Sequence, residues 1–475
     1  MTVPGTRTLS PLGNFAALGA SEVAARFIGF YATALLARKL GVDAFGVLGF
    51  ATALMSYFGI ALTVGFGDIG AREVARDPSA ARRLAADATG IRLLIAVAGI
   101  ASIAFISFAV ISSAIHRTVL LVGMMVLVSL ALDTSWVYRG LSRNRTAGLA
   151  LLLAQSAYLA GVIVLVSSPK DVVRVPLIQF AGDMLAAFML LGLLFGRTIP
   201  RPSLIGGMAL LRQSGFITVS RLLRALIVTF DILLLALLAS NSDVGLYTAA
   251  YRVCLLVTTI AMATHVVFLP GLVESAAAGP ERVTTVMSRS LSLTSAVIIP
   301  LVVGGIVLAE PLLAFLFGAE YGAAAVAFQL LLASIGVLAI HGIAHNVFVA
   351  MHQTGREAVI FGAAAIVNIG LNVILIPRYG LIGAAFATLA AETFILIANA
   401  VVLIRSGLKP ALSRMVLPLA ASAVMGVALF PLAGRLPVWA LVPLGGLVYL
   451  VVFGATGGIR RELEESRIGM LARRP

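Results

Sequence analysis

The chain has 475 residues, of which 60% are hydrophobic and 11% charged, and its formal net charge is +14. Soluble domains carry about 25% charged residues, so this composition describes a protein embedded in a bilayer. The excess of arginine must therefore be read by its place relative to the membrane, and nucleic acid is not an expected partner. A single cysteine, Cys254, excludes an intrachain disulfide and a cysteine-based metal cluster.

The first apolar stretch, LGNFAALGASEVAARFIGFYATALLARKL (12–40), is long enough to cross a membrane and reads as retained, not as a cleaved signal. It carries Glu22 and Arg26 four residues apart, on one helical face. An arginine at bilayer depth costs roughly 2.5–3.5 kcal/mol on insertion scales. The face either lines a polar cavity or holds a neutralised pair that anchors a bundle. Further apolar segments follow at 44–66, 91–112, 118–138, 147–168 and 176–196, then at 214–239, 246–270, 288–308, 323–350, 358–376 and 381–404. A last pair lies at 415–433 and 437–456. The expected class is an all-α polytopic membrane protein with about fourteen transmembrane helices.

Charge placement supports this count. With the N-terminus inside, 23 Lys/Arg fall in cytoplasmic segments (Arg92 among them) and seven outside; Arg26, Arg221, Arg224 and Arg252 fall within helices. That asymmetry places both termini in the cytoplasm and makes the helix number even; twelve keeps the same parity. Residues 67–90 alternate small apolar with charged residues, which predicts an amphipathic surface helix. Residues 197–213 (RTIPRPSLIGGMALLRQ) read as a linker. The expected division is a six-helix lobe over 1–196, the linker, a second six-helix lobe over 214–404, and two additional helices with a basic cytoplasmic tail over 405–475. An offset of 199 lays 35–51 over 234–250, and a related hairpin recurs at 377–387. Gly46, Gly245 and Gly380 mark the expected helix–turn–helix positions of a parallel repeat, an arrangement that places a substrate path between lobes.

Several stretches resemble one family. They are LLARKLGVDAFGVLGFATAL (35–54), GFGDIGAREVAR (65–76), LLAFLFGAEYGAAAVAFQLLLAS (312–334) and HQTGREAVIFGAAAIVNIGLNVILIPRYGLIGAAFATLAAE (352–392), the last with Asn368, Asn372, Pro377, Tyr379, Gly380 and Gly383. Together they resemble the polysaccharide and oligosaccharide-lipid flippases of the multidrug/oligosaccharidyl-lipid/polysaccharide exporter superfamily. The resemblance covers residues 12 to about 405. It implies two six-helix lobes around a central cavity, alternating access, and outward movement of an undecaprenyl-pyrophosphate-linked oligosaccharide for cell-surface polysaccharide biosynthesis in the bacterial inner membrane. It also implies membrane lipids, polysaccharide polymerase and glycosyltransferases as partners, and H+ or Na+ as coupling ion.

Arginine suits a pyrophosphate because its planar fork stays charged and donates several hydrogen bonds. Arg26, Arg221, Arg224 and Arg252 are the candidate head-group contacts, with snorkelling to lipid head groups as the alternative. Glu22, Asp183, Asp231 and Glu392 are candidate charge partners or ion-coupling acids; Asp133 is a further acid within a helix. Asp68, Arg72 and Arg76 are candidates for gating or for a cytoplasmic cap. His341 and His345 share a helix face four residues apart, but no HExxH sequence or third ligand accompanies them; packing or cavity hydrogen bonds are expected, not a metal. No Walker A sequence, nucleotide fold or nucleophile elbow is present, so neither an enzyme nor a cofactor is expected. The competing readings are a lipid II flippase, an exporter of cationic drugs, and a membrane glycosyltransferase or polymer ligase.

Overall fold

A computed structural model of the chain describes residues 11–460 apart from 197 and 199. Side chains are described except at 11–18, 64, 110, 216–217, 219–221 and 223–229. Helices make up 90% of it, with no strand among the described residues. In order they are α1 (Pro11–Arg76), α2 (Ala81–Val110), α3 (Ala114–Gly123), α4 (Val126–Leu132), α5 (Ser135–Gly140), α6 (Asn144–Leu165), α7 (Arg174–Phe195) and α8 (Leu204–Leu238). They continue as α9 (Asn241–Ala277), α10 (Pro280–Val307), α11 (Ala309–Phe317), α12 (Ala325–Ala350), α13 (Thr354–Arg405), α14 (Val416–Leu429) and α15 (Val438–Ala455).

Eleven stretches among the described residues are long and apolar enough to cross a membrane. Two of them are too long for one crossing: an unbroken α1 would measure about 99 Å against a hydrocarbon core of about 30 Å. Gly41 (φ 71°) divides α1 and Gly380 (φ 52°) divides α13, each into two helices of crossing length. Positive φ at these points is cheap for glycine and costly for any residue with a Cβ. With the 35-residue α8, the helices amount to about fourteen crossings. Large side chains such as Phe105, Phe108, Val164 and Val427 are exposed, as expected of surfaces solvated by lipid.

The turns correct one detail of the repeat. Gly46 and Gly245 lie inside helices, and the breaks fall earlier. At the offset of 199, Gly41 meets Ser240, whose hydroxyl caps α9 by accepting from the Asp243 amide at 3.1 Å. Asp243 returns the contact to the Ser240 amide, completing a capping box. The expected surface helix over 67–90 is also not a separate element. Helix α1 runs to Arg76, Asp77 caps a single turn over Pro78–Ala80, and α2 starts at Ala81. The Ser79 hydroxyl donates to the Asp77 carboxylate at 2.6 Å and holds that carboxyl below its ordinary range. This local turn, followed by Pro78, is what breaks the helix.

The chain folds as two compact units, Met1–Leu233 and Leu234–Pro475. In the first, Lys39 closes α6 by donating to the carbonyls of Val162, Ile163 and Val166 at 2.7–3.0 Å, groups that a helix end leaves unpaired. The segment before α8 is tied to α2. Arg82 donates to Phe195 O and to Thr198 O, and Asp87 accepts from the Ser203 amide at 2.6 Å. In the second unit, α14 and α15 pack with α10 through Leu308, Met425, Leu429, Leu441 and Tyr449. The residues after 460, including most of the basic tail, lie outside the described residues.

Candidate functional site

The first unit encloses a cavity of about 290 Å³ between α1, α4, α5, α6 and α7. Its space comes from small residues. Ala147, Ala150 and Ala154 recur along one face of α6, opposite Ala186 and Ala187 of α7. Its chemistry comes from Glu22 on α1, Asp133 between α4 and α5, Arg139 on α5 and Asp183 on α7, with Ser129 and Ser135 beside them. Gln179 donates to Asp183 at 2.9 Å and fixes that carboxylate. Three carboxyls, two hydroxyls and one guanidinium offer acceptors for hydroxyl-rich or cationic groups and one fork for an anion.

The cavity wall is shaped by a break that an apolar run conceals. The stretch 118–138 is three short helices, interrupted at Met124–Met125 and at Asp133–Thr134. Asp133 caps the last of them, accepting from the Ser135 amide at 2.9 Å and from its hydroxyl at 2.8 Å. The carbonyls that the break frees need donors, and Arg92 of α2 supplies them. Its guanidinium donates to Asp133 O at 2.8 Å and to Leu130 O. Arg92 is 1% exposed and serves as a structural cation inside the first unit, a role that the charge pattern does not suggest. The sequence Asp-Thr-Ser at 133–135 is the signal that reveals the cap.

The second unit holds a different arrangement. On α12, His341 Nε2 meets Glu392 Oε2 of α13 at 2.5 Å, and His345 Nδ1 meets both oxygens of Glu357, also on α13, at 2.7 and 2.9 Å. His265 of α9 bonds through Nε2 to Ala339 O at 2.9 Å, and Asn346 donates to His265 O at 2.8 Å. Next to these pairs lies a cavity of about 330 Å³ bordered by Met287, Leu291, Ile343 and Leu403, with His341, Asn399 and Lys409 as its polar members. Among the described residues, no group of three His, Cys, Asp or Glu could hold a metal ion.

Known proteins agree with this architecture. A family model described as "Polysaccharide biosynthesis protein" matches residues 12–276, and one described as "Lipid II flippase MurJ" matches 177–444. The chain belongs to the polysaccharide and oligosaccharide-lipid flippase family. Two relatives come from Haloferax volcanii. "Probable low-salt glycan biosynthesis flippase Agl15" is 24% identical over 50% of each chain, and "Probable flippase AglR" is 31% identical over 34% of this chain and 35% of its own. The flippase-family chain thus spans half or less of the length of these relatives. The lipid II flippase MurJ in an inward closed conformation shares its fold, with a TM-score of 0.75 at 15% identity over 94% of this chain and 99% of that one. An inward-facing multidrug resistance MATE family transporter of the MOP superfamily shares it with a TM-score of 0.66 at 15% identity, over 81% and 96%.

Within this family member, the expected site residues separate into groups. Glu22 and Asp183 meet in the first cavity, where Asp133 and Arg139 join them. Arg26, one turn beyond Glu22, is exposed and does not border that cavity. Arg252 is half-buried on α9 of the second unit. Asp231 is buried on α8, and Glu392 is engaged by His341. The side chains of Arg221 and Arg224 lie outside the described residues. Asp68 is exposed near the end of α1, and Arg72 and Arg76 both pair with Glu73, at 3.2 and 3.1 Å. Arg139 and Arg92 emerge only from the structure, as do the carboxylate partners of the two histidines. Those partners lie 51 and 12 residues away in the chain.

Proposed function

We propose that this chain flips a polyprenyl-pyrophosphate-linked oligosaccharide, of the undecaprenyl type, from the cytoplasmic to the outer leaflet of a bacterial inner membrane by alternating access, with both termini cytoplasmic. The match to the polysaccharide biosynthesis family over 12–276, continued by the flippase family over 177–444, carries the reading. The names of the two Haloferax volcanii relatives, both probable flippases, support it. In this scheme the polyprenyl tail stays in lipid and the sugars enter a polar cavity. Their hydroxyls find acceptors in Glu22, Asp133 and Asp183, and Arg139 faces the same space. Arg26, Arg221, Arg224 and Arg252 are the proposed contacts for the pyrophosphate. Glu22, Asp183, Asp231 and Glu392 are the proposed coupling acids, and Asp68, Arg72 and Arg76 the proposed gate.

The test is reconstitution in vesicles with a fluorescent polyprenyl-pyrophosphate oligosaccharide, scoring exposure of the sugar to an external glycosidase. Protein-dependent exposure is expected, and its absence in correctly inserted protein would reject the reading. Arg26→Ala is expected to impair flipping while leaving insertion normal. Complementation of cells lacking each flippase separates an oligosaccharide cargo from lipid II.

A second reading has an observation of its own. The first cavity holds three carboxyls and one guanidinium, a balance suited to a cationic cargo. Export of cationic compounds predicts raised resistance on expression, without any exposure of lipid-linked sugar.

A further inference from the structure

The second unit contains two carboxylates, one buried and one half-buried, of which the scheme above uses Glu392 only by name. Glu357 has 7% of its side chain exposed and Glu392 20%, and each is bonded to a histidine of α12. The histidines are four residues apart, so the pairs lie about 6 Å apart along one helix face. They differ in access. His345 is 43% exposed and His341 5%, which makes one pair an entrance and the other an interior station. The pairs also fasten α12 to the two halves of α13, Glu357 preceding the Gly380 break and Glu392 following it.

A third observation concerns His341 Nδ1. It is buried with no hydrogen-bond partner, and His341 borders the 330 Å³ cavity together with Asn399, whose amide oxygen and nitrogen are likewise buried without partners. An apolar cavity does not ordinarily carry unpaired polar atoms in its wall. A cavity of this size admits water, and water beside an imidazole nitrogen supplies both a donor and an acceptor. Other charged groups around the pairs are few. Helix α9 contributes His265, already bonded to Ala339 O, and the segment after α13 contributes Lys409 at the cavity rim. Helix α10 faces the cavity with Met287 and Leu291, and Arg289 does not border it.

We propose that His345–Glu357 and His341–Glu392 form a proton-binding relay in the second unit, loaded from the surface through His345 and held at His341–Glu392. Each pair is neutral with its exchangeable proton and carries one negative charge without it. An unpaired charge at such a site is expensive, so loading favours the arrangement that clips α12 to both halves of α13, and release loosens it. An imidazole suits this task because its proton exchanges near neutral pH. The coupling role rests on the flippase reading; the proton-binding role does not.

Two measurements on the full-length protein separate those claims. In detergent, proton uptake between about pH 8 and about pH 5 is followed with an indicator dye, together with pH-difference infrared spectra of the carboxyl and imidazole bands. Wild type is expected to show an imidazole signal coupled to a shift of the glutamate carboxylate band, because the one proton each pair gains is shared between the histidine and its glutamate. His341→Gln and His345→Gln should each bind about one proton fewer and lose part of that coupled signal. Unchanged uptake in both folded variants overturns the relay. If a variant does not fold, the wild-type spectrum decides alone, and absence of any pH-dependent glutamate band overturns the relay as well. In vesicles, a pH gradient should change the wild-type flipping rate about fivefold or more, and Glu392→Gln should abolish that dependence. Flipping that ignores the gradient overturns coupling. Titration without any flipping retains the proton site and rejects the flippase reading instead.

Discussion

The two units place acidic side chains on opposite terms with their surroundings. The cavity of the first unit gathers Glu22, Asp133 and Asp183 on a wall otherwise built from small and apolar residues, with Arg139 nearby. The cavity of the second is larger, at about 330 Å³, yet nearly all of its border is apolar, and the acids beside it are each taken up by a histidine. A carboxylate held away from water needs a partner at hydrogen-bond distance; Asp183 has the Gln179 amide, whereas Glu357 and Glu392 have imidazoles. On the two proposals above, the first arrangement would present acceptors to a cargo and the second would store a proton.

The largest expected effect comes from removing the first of these. Glu22→Gln combined with Asp183→Asn keeps shape and polarity but takes two charges from the cavity wall. Hydrogen bonds to charged groups contribute about 1.5–3 kcal/mol each, so losing two should lower the flipping rate by about a hundredfold to ten-thousandfold with insertion unchanged. A rate within twofold of wild type would show that the first cavity is not on the cargo path, and the contrast between the units would lose its functional half.

Next in size is Arg92→Ala, which tests whether the cavity wall depends on the interrupted helix. The variant strands the carbonyl of Asp133 and leaves that of Leu130 only the Asp133 amide. Two hydrogen bonds to a charged group are lost, about 1.5–3 kcal/mol each, read as a fall in the thermal unfolding midpoint in detergent. Arg92→Lys restores the charge without the fork and should recover only part.

A smaller pair of effects compares the two turns. At Gly41 an added Cβ meets open space, so Gly41→Ala should cost only the conformational penalty of about 1–3 kcal/mol. At Gly380 the same Cβ would lie 2.7 Å from Asp243 Oδ1, and Asp243 also accepts from the Leu381 amide. Gly380→Ala should therefore unfold at a lower temperature than Gly41→Ala. Equal midpoints would mean that the Asp243 contact adds nothing at the second turn.

How much of this the sequence displays follows from which interactions are local. Hydropathy reveals the crossings because twenty apolar residues cross a bilayer whatever their partners are. The family resemblance is carried by contiguous stretches such as 352–392. The breaks are less visible. Gly46 and Gly245 attract attention as glycines near turns, but the reversals sit at Gly41 and Ser240, where a positive φ and a cap decide the geometry. Arg92 counts as a cytoplasmic charge in any tally by position, and only its long-range bonds to residues 130 and 133 show it to be internal. The histidine spacing on α12 is plain at 341 and 345. The carboxylates that give it meaning come from both halves of α13, a pairing that no local pattern encodes.

The smallest effect asks whether the last two helices belong to the second unit's chemistry or only cover it. Tyr449 of α15 donates to Ala296 O of α10 at 2.7 Å, and the Tyr449 and Phe453 rings stack at 5.4 Å within the core that joins α14 and α15 to α10. Tyr449→Phe removes the hydroxyl and leaves the ring, so the cost should be about 0.5–1.5 kcal/mol, the net worth of one hydrogen bond. The same helix α10 presents Met287 and Leu291 to the apolar cavity, about two and a half and one and a half turns from Ala296 and nearer the start of the helix. If α14 and α15 only cover the unit, Tyr449→Phe lowers the unfolding midpoint slightly and leaves the proton titration of the histidine pairs where it was. A shifted titration in a folded variant would mean that α10 transmits the position of the last two helices to the proton site. The storing half of the molecule would then extend from α9 through α15.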